Sequence, residues 1–287
     1  MLSQIGNSTK LYIMKISIVL VFSGILALFA QAVQGVPLAN AKILNLSGTV
    51  TVHQGEDVAS AKALKVGAII KQGDVVSTGS QSTVKIAFSN GSVIDLDPNS
   101  QVELEVVSQK PYRGQKTYQH WDRDPSQSIT LLNLNYGSLL GHVKKLTDAS
   151  KFNVKTPLGV TVVRGTRFRV AFNYDSLSNH FRFVSQNIDG IVDVITDTEG
   201  QDIDYGTQNN VNLRLATAGD ASTVMIAVPP AHVVSVTLPL DDPMAKQIVD
   251  LEKNIAPGAT DGILPLPPIF PPKTEDDSEI VSPSGAA

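Results

Sequence analysis

Cysteine is absent from this chain of 287 residues. That absence excludes disulfide bonds, thiolate metal sites and catalysis by a thiol nucleophile. Neither sign of charge predominates, because the chain has 23 Lys and Arg and 27 Asp and Glu. The Lys and Arg residues are scattered along the sequence. A mildly acidic chain without a basic cluster in its sequence lacks the usual footprint of a nucleic-acid binder. We therefore expect no nucleic-acid partner.

Signatures of catalysis are missing as well. The five histidines do not fall at metal-ligand spacing, and no serine-centred elbow, phosphate-binding glycine loop or His-Glu-x-x-His motif occurs. We expect a protein that is not an enzyme and that holds no metal or other cofactor. A β-rich glycan hydrolase, with Asp202 and Asp204 as paired carboxylates, is kept as an alternative.

The longest apolar segment lies near the N-terminus. Residues 16–30 are rich in apolar side chains, follow Lys15 and end at the small-residue sequence Ala30-Gln31-Ala32. This run is shorter than the roughly 20 residues that span a bilayer, whereas its flanks are those of a secretory signal peptide. We predict a signal peptide over residues 1–35, with Met14 as an alternative start. The protein is then periplasmic or secreted, without stable membrane insertion after cleavage.

Short segments of alternating apolar and polar residues fill the region from 42 to 240. Examples are "STVKIAF", "QVELEVV" and "TRFRVAF", and Gly, Asn, Asp and Pro separate the segments. Such segments, rich in β-branched and aromatic residues, are typical of strands. The sequence therefore predicts an all-β domain over residues 42–240.

A self-comparison indicates that this domain contains two copies of one β-unit. When "STVKIAFSNGSVIDL" is placed over "SKFNVKTPLGVTVVR", Val84 aligns with Phe152 and Gly91 aligns with Gly159. The apolar positions keep the same phase through both segments, as repeated strands require. We expect one domain of duplicated units, arranged as a roll, a solenoid or a sandwich-like fold.

The same alignment places Arg164 opposite Leu96, at a position that belongs to the core in the first copy. A buried guanidinium needs several acceptors, so it would tie a turn to the sheet through carbonyl oxygens or a carboxylate. Alternatively, a bulge at Gly165 turns Arg164 outward, where it could bind a ligand. We favour the structural tie and keep the ligand-binding arginine as the alternative.

The segment "FNVKTPLGVTVVRGTRFRV" resembles the signature of the FecR family, the periplasmic sensor proteins of bacterial iron-uptake signalling. The preceding "GDVVSTGSQSTVKIAFSNGSVIDLDPNS" resembles another element of that family, and the resemblance covers about Gly48 to Thr196. The positions that carry the signature are Thr156, Pro157, Arg164, Gly165, Thr166 and Phe168.

The resemblance implies a noncatalytic all-β module outside the cytoplasm that senses or binds a partner. Family members that regulate transcription carry a cytoplasmic sigma-factor-binding domain before a membrane helix. This chain has too few residues before its apolar run for such a domain, so we expect a secreted variant without direct sigma-factor control. A regulator of envelope or iron-uptake signalling that acts through a separate membrane protein is the main alternative to a binding, sensor or scaffold module.

Between the two copies lies a polar segment that contains Tyr112, Tyr118 and Trp121. Flat rings beside charged side chains suit the docking of a peptide or the stacking of a sugar. These aromatics are our candidates for binding an envelope protein or glycan, and the alternative is that they pack against the sheet.

The C-terminal region changes character twice. The sequence pattern of residues 241–255 predicts an amphipathic helix, with Asp242 as N-cap and Pro243 at the first helical position. Residues 256–287 are rich in proline and acidic side chains, a composition that favours disorder over a packed core.

Overall fold

A computed structural model of the chain describes residues 40–112, 122–175, 178–197, 202–204, 213–215, 223–242 and 245–246. By its contacts the chain divides into Met1–Gly35 and Val36–Ala287, and all of the described residues belong to the second unit. The predicted signal peptide lies outside the described residues.

Sixteen strands within the described residues form one sheet, which confirms the all-β prediction. A single 3₁₀ turn, Val58–Ser60, interrupts them in this part of the chain. The strands are β1 (Ala41–Ser47), β2 (Val50–Gln54), β3 (Lys62–Ala63), β4 (Ile69–Ile70), β5 (Asp74–Thr78), β6 (Thr83–Phe88), β7 (Val93–Leu96), β8 (Gln101–Gln109), β9 (Ser128–His142), β10 (Lys151–Thr156), β11 (Gly159–Asp175), β12 (His180–Asp197), β13 (Asp202–Asp204), β14 (Leu213–Leu215), β15 (Thr223–Val228) and β16 (His232–Pro239).

Alternation along the strands explains why these segments pair as they do. In β10, Phe152, Val154 and Thr156 are buried while the residues between them are exposed or half-buried. Successive side chains of a strand point to opposite faces, so every second residue reaches the core. The same alternation brings Val84 and Ile86 of β6 into the core of the first copy.

The strand order along the sheet is β13-β16-β12-β11-β10-β9-β7-β6-β1-β4, with β2, β3, β5, β8, β14 and β15 paired off this path. Strand β9 joins the two halves of the fold. Its first half pairs with β8 and, in parallel, with β10, whereas its second half pairs with β7 and β11. A long strand that changes partners along its length brings the ends of several strands together around it.

The strand pairing repeats between the predicted copies. The antiparallel hairpin β6–β7 corresponds to the hairpin formed by β10 and the first half of β11. In the first copy β5 then pairs with β8, and in the second copy the end of β9 pairs with the second half of β11. The aligned Gly73 and Gly137 both have positive φ, +85° and +92°. The structure therefore supports two copies of one unit.

Aromatic side chains connect the two copies in one core. The rings of Phe88, from the first copy, and Phe152, from the second, lie edge to face with centroids 5.7 Å apart. Phe152 in turn contacts Phe168 at 6.1 Å. Phe168 is fully buried, and a Cβ on Gly141 would stand 2.2 Å from its ring. The predicted strand phase of Phe168 is confirmed.

The described part of the C-terminal region is short. Ala245 and Lys246 are helical, and the amide of Lys246 donates to the carbonyl of Asp242 at 3.3 Å. The rest of the predicted helix and the proline-rich tail lie outside the described residues, so both remain predictions. None of the described helical residues belongs to a helix long and apolar enough to cross a membrane.

Candidate binding surface at the Arg164 bulge

The family signature begins in a tight turn. Thr156 is buried, and its hydroxyl donates to the carbonyl of Gly159 at 3.1 Å across the turn. Pro157 is exposed at the tip, while the carbonyl of Leu158 accepts from the Thr196 hydroxyl at 2.6 Å. Thr156 and Pro157 therefore shape the hairpin and fix the register of the strand that follows.

That register corrects the predicted position of Arg164. Val84 pairs with Leu96 in the first copy, whereas Phe152 pairs with Val163 in the second. The counterpart of Leu96 is therefore Val163, and Arg164 lies one residue further on. The expectation that Arg164 occupies a core position is wrong, because the turn of the second hairpin is shorter than an ungapped alignment assumes.

Strand alternation turns Arg164 outward next to the buried Val163, and a bulge follows it. The pairing of β11 with β12 shifts between Arg164 and Arg167, and Gly165 has a φ of +65°. A Cβ at Gly165 would lie 3.0 Å from Cα of Lys145, so glycine suits both the conformation and the close approach. Arg164 is exposed and pairs across the ladder with Ile191, which is 56% exposed.

The guanidinium of Arg164 has neither a hydrogen-bond nor an ion-pair partner among the described residues. The favoured hypothesis, a tie between a turn and the sheet, is therefore wrong for this residue. Arg164 is exposed, as the alternative expected, but the shorter turn sets its outward direction, and the bulge at Gly165 lies directly after it.

The base of the bulge is held by hydrogen bonds. The amide and Nε of Arg167 donate to the two carboxylate oxygens of Asp189 at 2.9 and 2.8 Å. The buried hydroxyl of Thr166 lies within 3.3 Å of both Asn187 Oδ1 and Asp189 Oδ1. Partial burial acts to raise the pKa of Asp189, but the hydrogen bonds and the charge of Arg167 outweigh it and lower that pKa. These contacts fix the backbone from which Arg164 projects.

The fold gathers cations around the bulge that are scattered in the sequence. His142 pairs with Arg167, and the main chain of Lys144 and Lys145 lies against Gly165. Burial lowers the pKa of His142, and the charge of Lys144 lowers it further. We call Lys144, Lys145, Arg164, Arg167 and Ile191 together the bulge surface.

A different arginine makes the tie that was predicted for Arg164. Nη1 of Arg169 donates to Oδ2 of Asp97 at 2.5 Å, and the hydroxyl of Ser138 donates to the same carboxylate. Arg169 is 16% exposed and Asp97 is 29% exposed. This ion pair joins the end of β7 in the first copy to β11 in the second. The period-2 pattern does not reveal it, because the two residues are far apart in sequence.

The aromatic candidates lie mostly outside the described residues. Tyr112 is half-buried at the end of the segment that follows β8, and Tyr118 and Trp121 are not described. After the loop, the buried Asp124 accepts from Ser128 Oγ at 2.6 Å and from Gln109 Nε2 at 3.2 Å. The return of this loop to the sheet is therefore anchored. The binding role of the three aromatics stays a prediction.

The described residues contain no group of three or more His, Asp or Glu side chains that could hold a metal ion. The neighbouring carboxylates Asp95 and Asp97 are engaged in ion pairs, since Asp95 lies 3.4 Å from Lys85 Nζ and Asp97 contacts Arg169. At the bulge, the exposed Lys145, Arg164 and Arg167 accompany the exposed aliphatic side chain of Ile191.

Comparisons with known proteins find one family model and two solved structures that resemble parts of the chain. Two crystal structures of a proposed anti-sigma factor from Parabacteroides distasonis are similar to it, each at 13% identity and a TM-score of 0.33. The first similarity covers 56% of this chain and 53% of that protein, and the second covers 63% and 73%. No curated protein matches this chain. Residues 74–180, which include both hairpins and the bulge, match the family model described as FecR protein.

Proposed function

We propose that this protein is a noncatalytic FecR-domain protein exported to the bacterial cell envelope, where it binds a protein or glycan partner as a sensor or scaffold module. The observation that carries the proposal is the exposed Arg164 beside the exposed Ile191, within the family signature. The remaining signature residues form the support on which this pair is displayed.

Rigid presentation favours binding at this site. The backbone at Arg164 is already held by the hydrogen bonds of the bulge, so only the side chain has to be ordered when a partner docks, and its planar fork recognises carboxylates well. Ile191 adds apolar contact area beside that charge, and binding sites commonly combine the two. A protein partner with a carboxylate next to an apolar side chain fits the bulge surface better than a neutral glycan does.

A second candidate function is regulation of envelope or iron-uptake signalling through a separate membrane protein. The match of residues 74–180 to the FecR family favours it, since the resemblance implies sensing and signal transfer. In this case the partner at the bulge surface is a membrane protein of the signalling system. Binding assays with a detergent-solubilised envelope fraction include that partner.

Capture experiments test the proposal. The full chain serves as bait for envelope proteins in wild-type form, as Arg164→Ala with Ile191→Ser, and as the control Lys65→Ala with Val66→Ser, since both control residues are exposed. We expect the bulge variant to lose about tenfold or more of a specific capture that the control retains. Equal capture by the bulge variant would contradict the proposal. Release of reducing sugars from cell-wall polysaccharide by the purified chain would instead support the glycan hydrolase.

A further inference from the structure

The bulge surface carries more positive charge than its own surroundings neutralise. Asp189 is engaged by Arg167, and Arg164 has no ion-pair partner among the described residues. The main chain of Lys144 and Lys145, which come just after β9, lies against the same bulge. On a chain with a net charge of −4, this local excess of cations fits an acidic ligand, and Ile191 gives that ligand an apolar contact.

The chain contains a segment with the complementary chemistry. Thr274–Val281 reads "TEDDSEIV", in which four carboxylates are followed at once by two aliphatic side chains and no basic residue intervenes. This segment lies outside the described residues. We propose that Thr274–Val281 docks on the bulge surface of its own chain, with carboxylates on Lys144, Lys145 and Arg164 and with aliphatic side chains on Ile191.

The length of the intervening chain allows this contact. The 27 residues between Lys246 and Thr274 extend up to about 85 Å in a polyproline II conformation. Exposed ion pairs are individually weak and are screened by salt. Tethering offsets this weakness, because a linker that spans the two sites holds the ligand at an effective concentration on the order of millimolar.

Docking covers the arginine that the proposed function assigns to partner binding. The acidic segment therefore competes with the partner, and a partner must displace it. This regulatory role rests on the proposed function, whereas the docking depends only on the bulge surface and the acidic segment.

The absence of cysteine gives a direct test of docking in the full chain. Ile191→Cys with Ser278→Cys is compared with Val66→Cys with Ser278→Cys, since Ile191 is 56% exposed and Val66 is 60% exposed. With oxidised glutathione at low salt, we expect the first pair to form its intramolecular disulfide about tenfold faster. In 0.5 M salt the Debye length shortens to about one-third of its low-salt value, so the ratio of the two rates should fall towards one. The ratio should also fall towards one after Lys145→Glu with Arg164→Glu.

Equal rates for the two pairs, a ratio that ignores charge reversal, or a disulfide-linked dimer as the main product would each overturn the inference. A variant chain that ends at Lys273 distinguishes the docking inference from the proposed function, because removal of the competing segment should raise partner capture severalfold. If partner capture depends on Arg164 but the Ile191→Cys, Ser278→Cys pair does not form its disulfide faster, only the docking is contradicted. If that pair forms its disulfide faster but capture does not depend on Arg164, only the proposed function is contradicted.

Discussion

The two hairpins of the duplicated unit differ by the length of their turns. In the first, Ala87 pairs with Val93, so five residues lie between the paired positions. In the second, the equivalent Lys155 pairs with Val160, so four residues lie between them. One turn is odd in length and the other is even, which changes the phase of the strand that follows by one residue.

This difference gives equivalent positions opposite tasks. The residue after the Val84–Leu96 pair is Asp97, whereas the residue after the Phe152–Val163 pair is Arg164. Asp97 is held by Arg169 and Ser138 inside the protein, but Arg164 points to solvent. The same position therefore serves an internal ion pair in the first copy and is exposed in the second.

The largest effect on stability is expected at the aromatic contact that joins the copies. Phe168→Ala should lower the free energy of unfolding by about 3 to 5 kcal/mol, because a fully buried ring is lost against Phe152 and Gly141. Denaturant titration gives this value, and Ile191→Ala is the exposed control with a change of about 0.5 kcal/mol or less. A loss below about 1 kcal/mol at Phe168 would show that the core is not shared in this way.

The next largest effect is expected at the ion pair between Arg169 and Asp97, which lies inside the protein. Arg169→Ala should cost about 1.5 to 3 kcal/mol, since a partly buried, charge-assisted hydrogen bond to Asp97 disappears. A double-mutant cycle with Asp97→Asn isolates the coupling between the two side chains. Additive effects of the two substitutions would mean that the ion pair does not tie the copies together.

A smaller effect is expected at the glycine of the bulge. Gly165→Ala should cost about 1 to 2 kcal/mol, because φ is +65° and the new Cβ approaches Cα of Lys145. Gly55, with a φ of +55° and nothing within 4 Å of its Cβ position, is the matched control for backbone strain alone. Thermal unfolding of both variants measures the difference, and a stabilised Gly165→Ala protein would refute the close approach.

The sequence predicted the parts of the fold that depend on local alternation. Period-2 patterns located the strands and the phase of Phe168, and self-alignment located the repeat. The exposed position of Arg164 was kept only as an alternative, because a change of one residue in turn length is hidden by alternating patterns that also match out of phase. The pair Asp97–Arg169 was missed, since nothing local links residues on different copies.

Substitutions of Arg164 itself should leave stability almost unchanged. Arg164→Ala, Arg164→Lys and Arg164→Leu are each expected within about 0.5 kcal/mol of the wild-type free energy of unfolding, as for an exposed side chain without described partners. Thermal and denaturant unfolding of the three variants provide the measurement. Destabilisation by more than about 1 kcal/mol in all three would restore the structural role and remove the contrast with Arg169.

The smallest effect concerns the electrostatic surroundings of the bulge. The pKa of His142 lies below its usual value because of burial and then the charge of Lys144. Lys144→Ala should therefore raise the pKa of His142, whereas Lys65→Ala, at a distant exposed position, should not change it. The imidazole signals in an NMR titration report both values.

Since the imidazole of His142 binds a proton less readily in the folded state than in the unfolded chain, the contribution of His142 to stability is fully present above about pH 6.5. This contribution is lost as the pH falls through the folded-state pKa of His142. Lys144→Ala should therefore narrow the pH range between about 6.5 and that folded-state pKa. An unchanged pKa would mean that the bulge surface lacks the positive potential on which recognition of an acidic ligand depends.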